Sequence, residues 1–168
     1  MNSSELMIDA FSRVSEVASE VLDGADSDVL TLRLDPDANT IAWLVWHLTR
    51  VQDDHLAKAF DGEQVWTTQG WAERFDLTFD VQSHGYGQSS SEVAQVRAPA
   101  HLLRGYLDAV QAQTVKYLET ITDADLDRVV DERWDPPVTL GVRLVSVISD
   151  CLQHAGQAAF IRGVTDRK

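Results

Sequence analysis

Residues 139–164 read TLGVRLVSVISDCLQHAGQAAFIRGV. Leu144, Val147, Ile148, Cys151, Ala155 and Ala158 recur at three- and four-residue steps, the period of one helix face. Pro136-Pro137 stands just upstream, so the helix begins near Thr139 and runs to about Val164. At about 1.5 Å per residue it approaches 40 Å in length. Such a helix, apolar along one stripe, requires neighbours of comparable length to cover that stripe.

Three other segments have the same periodicity. The first follows Ser3 and Ser4, good capping residues, places Met7, Phe11, Val14, Ala18, Val21 and Leu22 on one face, and stops near Gly24. The second starts after Asn39 or Thr40, carries Ile41, Leu44, Val45, Leu48, Val51 and Leu56, and ends by Gly62. The third opens at Pro99, a favoured first-turn residue, and continues through Leu103, Tyr106, Val110 and Leu118 to Ile121. A short acidic piece, Thr122 to Val130, begins with a Thr122-x-x-Asp125 capping pattern. Four amphipathic helices of similar length predict an all-α fold, an up-down four-helix bundle. We read the whole chain, 1–168, as a single domain with no repeat and no linker.

Between the second and third helices lies a long irregular stretch, Gly62 to Ala98. It contains Trp66, Trp71, Phe75, Phe79 and Tyr86, too many aromatic residues for a solvated tether, so it is expected to be packed and partly ordered. Ser89-x-x-Glu92 marks a short helix within it.

Composition narrows the function. Against 27 acidic side chains there are 14 basic ones, a net charge of −13, which disfavours a surface that tracks nucleic-acid phosphates or anionic lipid. The single cysteine, Cys151, excludes an intramolecular disulfide and a cysteine-rich zinc site. With no secretory signal at the N-terminus and no apolar run long enough to span a bilayer, the expected setting is the cytoplasm. The expected partners are small molecules, with neither nucleic acid nor membrane involved.

The chemistry concentrates in two helices. Asp150 and His154 are four apart on the fourth helix and so lie one above the other. A carboxylate and an imidazole at that spacing grip one metal ion, although the same spacing also serves a surface ion pair. His47 interrupts the apolar run Ile41 to Leu48 of the second helix, where a buried polar group needs a partner, either a metal or a hydrogen bond. Facing helices of a bundle would bring the three together. Two imidazoles and a carboxylate suit Zn, Ni or Fe(II), and three protein ligands leave a position open for chemistry. Gln157 continues the Asp150–His154 stripe. Asp53, Asp54 and His55 follow His47 on its helix and read either as a solvated helix end or as groups supporting the site. His84 lies in a loop that would cover the metal or stay exposed, and His101 reads as surface. Cys151 is about 100° around the helix from Asp150 and reads as a small buried residue, not a nucleophile.

These motifs, Ala42-Trp-Leu-Val-Trp-His47-Leu48 and Ser149-Asp150-Cys-Leu-Gln-His154-Ala-Gly156-Gln157, resemble the DinB-like superfamily across essentially the whole chain. The closest resemblance is to its mycothiol-dependent branch, which includes the metal-binding domain of maleylpyruvate isomerase. Gly70-Trp71-Ala72-Glu73-Arg74-Phe75 and Gly85-Tyr86-Gly87 look like a thiol-transferase subgroup. The resemblance implies a four-helix bundle, a metal held by His47, Asp150 and His154 with zinc as the first expectation, mycothiol as co-substrate, and transfer of the thiol to a small electrophile. It is also compatible with a homodimer. A non-catalytic ligand-binding or stress-response protein and a metal-dependent hydrolase are the alternatives. The isomerase pattern has glutamate where this chain has Asp150, and the isomerase has a further C-terminal domain not expected here, so isomerisation itself is not implied.

Overall fold

The computed structural model describes residues 1–167. Four long helices dominate: α1 (Ser3–Leu22), α3 (Ile41–Ala59), α7 (Ala100–Leu118) and α8 (Leu140–Thr165). A short α2 (Ser27–Thr31) follows α1, and three short helices, α4 (Val65–Thr68), α5 (Trp71–Phe75) and α6 (Ser90–Val93), punctuate the connection from α3 to α7. Helix starts follow local chemistry. Asn2 and Glu5 form a capping box on α1, Thr40 caps α3 through the Trp43 N–H, and Thr139 caps α8 through the Val142 N–H. Each side-chain oxygen satisfies a backbone donor that the first helical turn leaves without a partner.

The acidic piece after α7 becomes a 3₁₀ turn, Asp123–Asp127, which closes on its Thr122–Asp125 capping box. It leads into a two-stranded antiparallel ribbon, β1 (Val129–Asp131) and β2 (Val138–Thr139). This ribbon is not expected from the sequence. Its strands are too short to develop an alternating pattern.

Helices α1 and α3 each pack on both α7 and α8. Helices α1 and α3 therefore lie across one diagonal of the bundle and α7 and α8 across the other, while α3 and α7 are neighbours. Specific contacts give their directions. Ser4, at the start of α1, donates to the Leu118 carbonyl at the end of α7, and Arg104, early in α7, donates to the Ser19 carbonyl, so α1 and α7 run antiparallel. Trp43 and His154 meet at one end of α3 and α8, and His55 and Ser146 share a cavity toward the other, so that pair is antiparallel too. Arg50 reaches Tyr106, while Gln52 reaches Thr114, so α3 and α7 run parallel. The expected bundle is present, with the up-down alternation holding for α1–α3 and for α7–α8. The middle pair shares one direction because the connection from Phe60 to Pro99 is long enough to return along the bundle before α7 begins.

That connection is packed, as its aromatic content implies. Asp53 of α3, buried, accepts the Val65 and Trp66 N–H groups at 2.9 and 2.8 Å and the Tyr106 hydroxyl at 2.8 Å. It thereby caps α4 from outside the connection itself. Arg50, fully buried one turn earlier, donates to Gln64 Oε1 and to the Ser83 carbonyl, and its guanidinium lies 4.8 Å from the centre of the Trp66 ring. Trp71 packs over Gly105 of α7, where a β-carbon would stand 2.7 Å from the indole ring. Burial pushes the Asp53 carboxyl up, against the pull of its three donors and of Arg50.

Removing one member of such a network leaves buried partners unsatisfied. Asp53→Ala is expected to lower the unfolding free energy by about 3 kcal/mol, read as a reduced denaturant midpoint at an unchanged m-value. A loss within about 0.5 kcal/mol, typical of a surface substitution, would mean that the connection is anchored elsewhere.

Candidate metal centre

Helix α3 is buried along nearly its whole length, so its polar residues are interior groups. His47 is 6% exposed. Its Nδ1–H donates to the carbonyl of His84 at 2.5 Å, which leaves Nε2 with a free lone pair. The Trp43 indole stacks on its ring at 4.5 Å and 12°. The approach of the loop depends on Gly85. Its φ is +98°, and a β-carbon there would stand 2.6 Å from His47 Nδ1 and 3.1 Å from the Trp43 and Trp46 rings, so only glycine fits.

Across from His47, α8 presents Asp150 and His154. Its small residues at the contact, Cys151, Ala155 and Ala158, are buried, and Cys151 Sγ lies 3.4 Å from the Leu48 carbonyl. The helices thus approach closely. The His47 and His154 rings meet edge-on at 4.7 Å. One donor atom from each of His47, Asp150 and His154 lies within 4.8 Å of the other two.

The donor chemistry fits a divalent ion. Asp150 Oδ1 and His154 Nε2 are 3.7 Å apart, too wide for a hydrogen bond and close to the roughly 3.3 Å that separates two ligands of one tetrahedral ion. Asp150 Oδ2 is buried with no hydrogen-bond partner among the described residues, an uncommon state for a carboxylate oxygen. The second imidazole nitrogens are engaged elsewhere, His47 Nδ1 by the His84 carbonyl and His154 Nδ1 by Gln157 Oε1 at 3.4 Å. Such outer partners orient metal-binding imidazoles.

Beside these groups is a cavity of about 200 Å³, lined by His47, Asp150, Val51, His55, His84 and Ser146, with Tyr86 at its edge. Tyr86 is 89% exposed. Of the two expectations for His84, over the site or exposed, the structure has the first: its carbonyl holds His47 and the residue lines this cavity. Asp53 and Asp54 are not a solvated helix end. Asp53 caps α4, and Asp54 pairs with Lys58 at 2.8 Å and accepts from Gln64 at 2.9 Å. The reason is that the packed connection covers the side of α3 on which they lie. His55, two turns beyond His47, reaches the cavity instead. Ser146, one turn before Asp150 on α8, was not singled out, because nothing distinguishes a lone serine in sequence. Cys151 is fully buried and its thiol is pushed far up by burial, so it is an inert packing residue.

Residues 7–167 match the mycothiol-S-transferase family. The chain belongs to that family, a DinB-like one. The crystal structure of a conserved protein from Enterococcus faecalis superposes with a TM-score of 0.91 at 32% sequence identity, covering 100% of this chain and 99% of that one. No curated protein matches.

Burial holds His47 neutral, with its pKa lowered from 6.5 to about 4. His154 moves the other way, raised by its pairing with Asp150, which is itself lowered by the same pairing. In the metal-free protein both shifts couple folding to pH. Unfolded His47 takes up its proton near 6.5, before the folded residue does. Its contribution to stability is therefore present above pH 6.5 and lost as pH falls toward 4. The contribution of His154 is present below 6.5 and lost as pH rises through its raised folded value. An imidazole NMR titration of the metal-free protein should show His47 protonating below, and His154 above, the ordinary histidine value. His47 titrating together with His154 would contradict the burial that defines the site.

Proposed function

We propose that the protein is a metal-dependent thiol S-transferase, with the metal held by His47, Asp150 and His154 and zinc its first candidate, ahead of nickel and iron. The observation that supports this most directly is the buried Asp150 Oδ2, without a hydrogen-bond partner among the described residues, beside two imidazoles whose other nitrogens are already engaged. Family membership supports a low-molecular-weight thiol of the mycothiol type and a small electrophile as the substrates. A divalent ion bound there lowers the pKa of a thiol, so that the nucleophilic thiolate is present at neutral pH.

The chain's own groups do the rest. The His84 carbonyl and the Trp43 ring fix the orientation of His47, and Gln157 does the same for His154. Trp43, held in turn by Gln88 through its indole N–H at 2.7 Å, screens one side of the site from water. His55 and His84 offer imidazole nitrogens along the cavity wall, where a substrate's polar groups would lie. Ser146 adds a hydroxyl from the opposite helix.

The direct test is to load the protein with zinc and follow the conjugation of mycothiol to monochlorobimane by fluorescence. The wild type is expected to turn over, with His47→Ala and His154→Ala each reduced by at least about a hundredfold together with loss of bound zinc. Retention of zinc by both variants would show the ligand set to be wrong. A zinc-loaded wild type inactive across a panel of thiols and electrophiles would overturn the transfer activity in favour of hydrolysis or ligand binding.

A further inference from the structure

A second cavity adjoins the first, and His55 lines both. It has a volume of about 280 Å³ and is walled by Lys58 from α3, Asp131 and Arg133 from the ribbon, and Arg143 from the first turn of α8. In a chain with 27 acidic and only 14 basic side chains, three cations around one small cavity are a local reversal of the protein's field. Asp131 Oδ2 accepts from Arg133 at 2.8 Å and from Arg143 at 2.9 Å, so one carboxylate fixes two guanidinium groups. The pairing also holds the Asp131 carboxyl well below the usual carboxylate range, and it therefore stays ionised. Lys58 is shared with Asp54. Two carboxylates thus face three cations, and one positive charge is left over.

The surplus is focused on Arg143. Its side chain is only 15% exposed, yet just one of its three guanidinium nitrogens has a hydrogen-bond partner among the described residues. Pinning the ribbon to α8 needs that one nitrogen and leaves the others as fixed donors, the arrangement that binds carboxylate or phosphate oxygens.

Distances along the helices locate this charge relative to the metal centre. Arg143 precedes Asp150 by seven residues on α8, about 10 Å, and His55 follows His47 by eight on α3, about 12 Å. We propose that the second cavity is a subsite for the anionic group, carboxylate or phosphate, of a substrate whose reacting atom lies at His47, Asp150 and His154, roughly 10–12 Å away. The reaction at the far end rests on the thiol-transfer reading; the charge preference rests on this cavity alone. The anionic group belongs to either the thiol or the electrophile, and experiment separates the two.

The test is calorimetric binding to the cobalt-loaded protein, using two matched pairs. The thiol pair is ω-mercaptooctanoate against ω-mercaptooctanol. The electrophile pair, in unreactive form, is the acetamide of ω-aminooctanoate against its methyl ester. In at least one pair the carboxylate is expected to bind about tenfold more tightly than its neutral partner, the scale of one charge-assisted contact, and that pair identifies which substrate carries the anion. The preference should shrink to about twofold or less in Arg143→Gln, and in part in Lys58→Ala, which leaves Asp54 its Gln64 donor and whose folding is checked by its thermal midpoint. Equal binding within both pairs, or a preference undiminished in both variants, overturns the subsite. The cobalt–thiolate absorption band reports separately on the other end. A band with both thiols but no carboxylate preference removes the subsite alone, whereas a carboxylate preference with no band supports the subsite and removes the metal–thiol reading.

Discussion

A helix buried on nearly all sides with six polar side chains inside it sets the terms for this structure. His47, Thr49, Arg50, Gln52, Asp53 and Asp54 of α3 are all buried, and a buried polar group without a partner costs on the order of 1–3 kcal/mol. Each therefore recruits something. Thr49 bonds back to the Val45 carbonyl, Gln52 reaches Thr114 of α7, Asp53 caps α4, Asp54 takes Lys58 and Gln64, and Arg50 gathers Gln64, Tyr106 and the Ser83 carbonyl. His47 takes the next carbonyl, that of His84. The connection from α3 to α7 is folded because these groups require it.

This links stability to the site. Arg50 and His47 are three residues apart on one helix and hold two consecutive carbonyls of the same loop. The network that anchors the connection therefore also sets where His84 and Gly85 sit, and so how His47 is oriented. The anchor and the candidate centre are two parts of one polar seam through the bundle. At its end, near His55, the seam opens toward the basic cavity of Lys58, Arg133 and Arg143.

How much of this was legible in the sequence depends on whether the signal was periodic. The four long helices were, because three- and four-residue spacing of apolar residues and the capping residues fix their position. The Asp150–His154 pair was also readable, since helical spacing alone puts both on one face, and His47 stood out as a polar break in an apolar run. The ribbon was not readable, with strands of three and two residues. Nor were the roles of Asp53 and Asp54, which look like any acidic helix end until the connection is seen to pack over them. The shared direction of α3 and α7 likewise depends on the path of that connection, and no local pattern encodes it. His84 acts through its backbone carbonyl, which carries no residue-specific signal. The close approach of the loop at Gly85 became visible only with its φ of +98° and the His47 ring beside it.

The proposed chemistry requires a three-ligand metal site with a position open to a thiol. X-ray absorption at the zinc edge tests it most directly, on the zinc-loaded protein with and without mycothiol. The expected spectrum has two imidazole nitrogens and one oxygen from the protein at about 2.0–2.1 Å, with a single sulfur shell at about 2.3 Å appearing when the thiol is added. A first shell already completed by protein ligands and unchanged by mycothiol would contradict it.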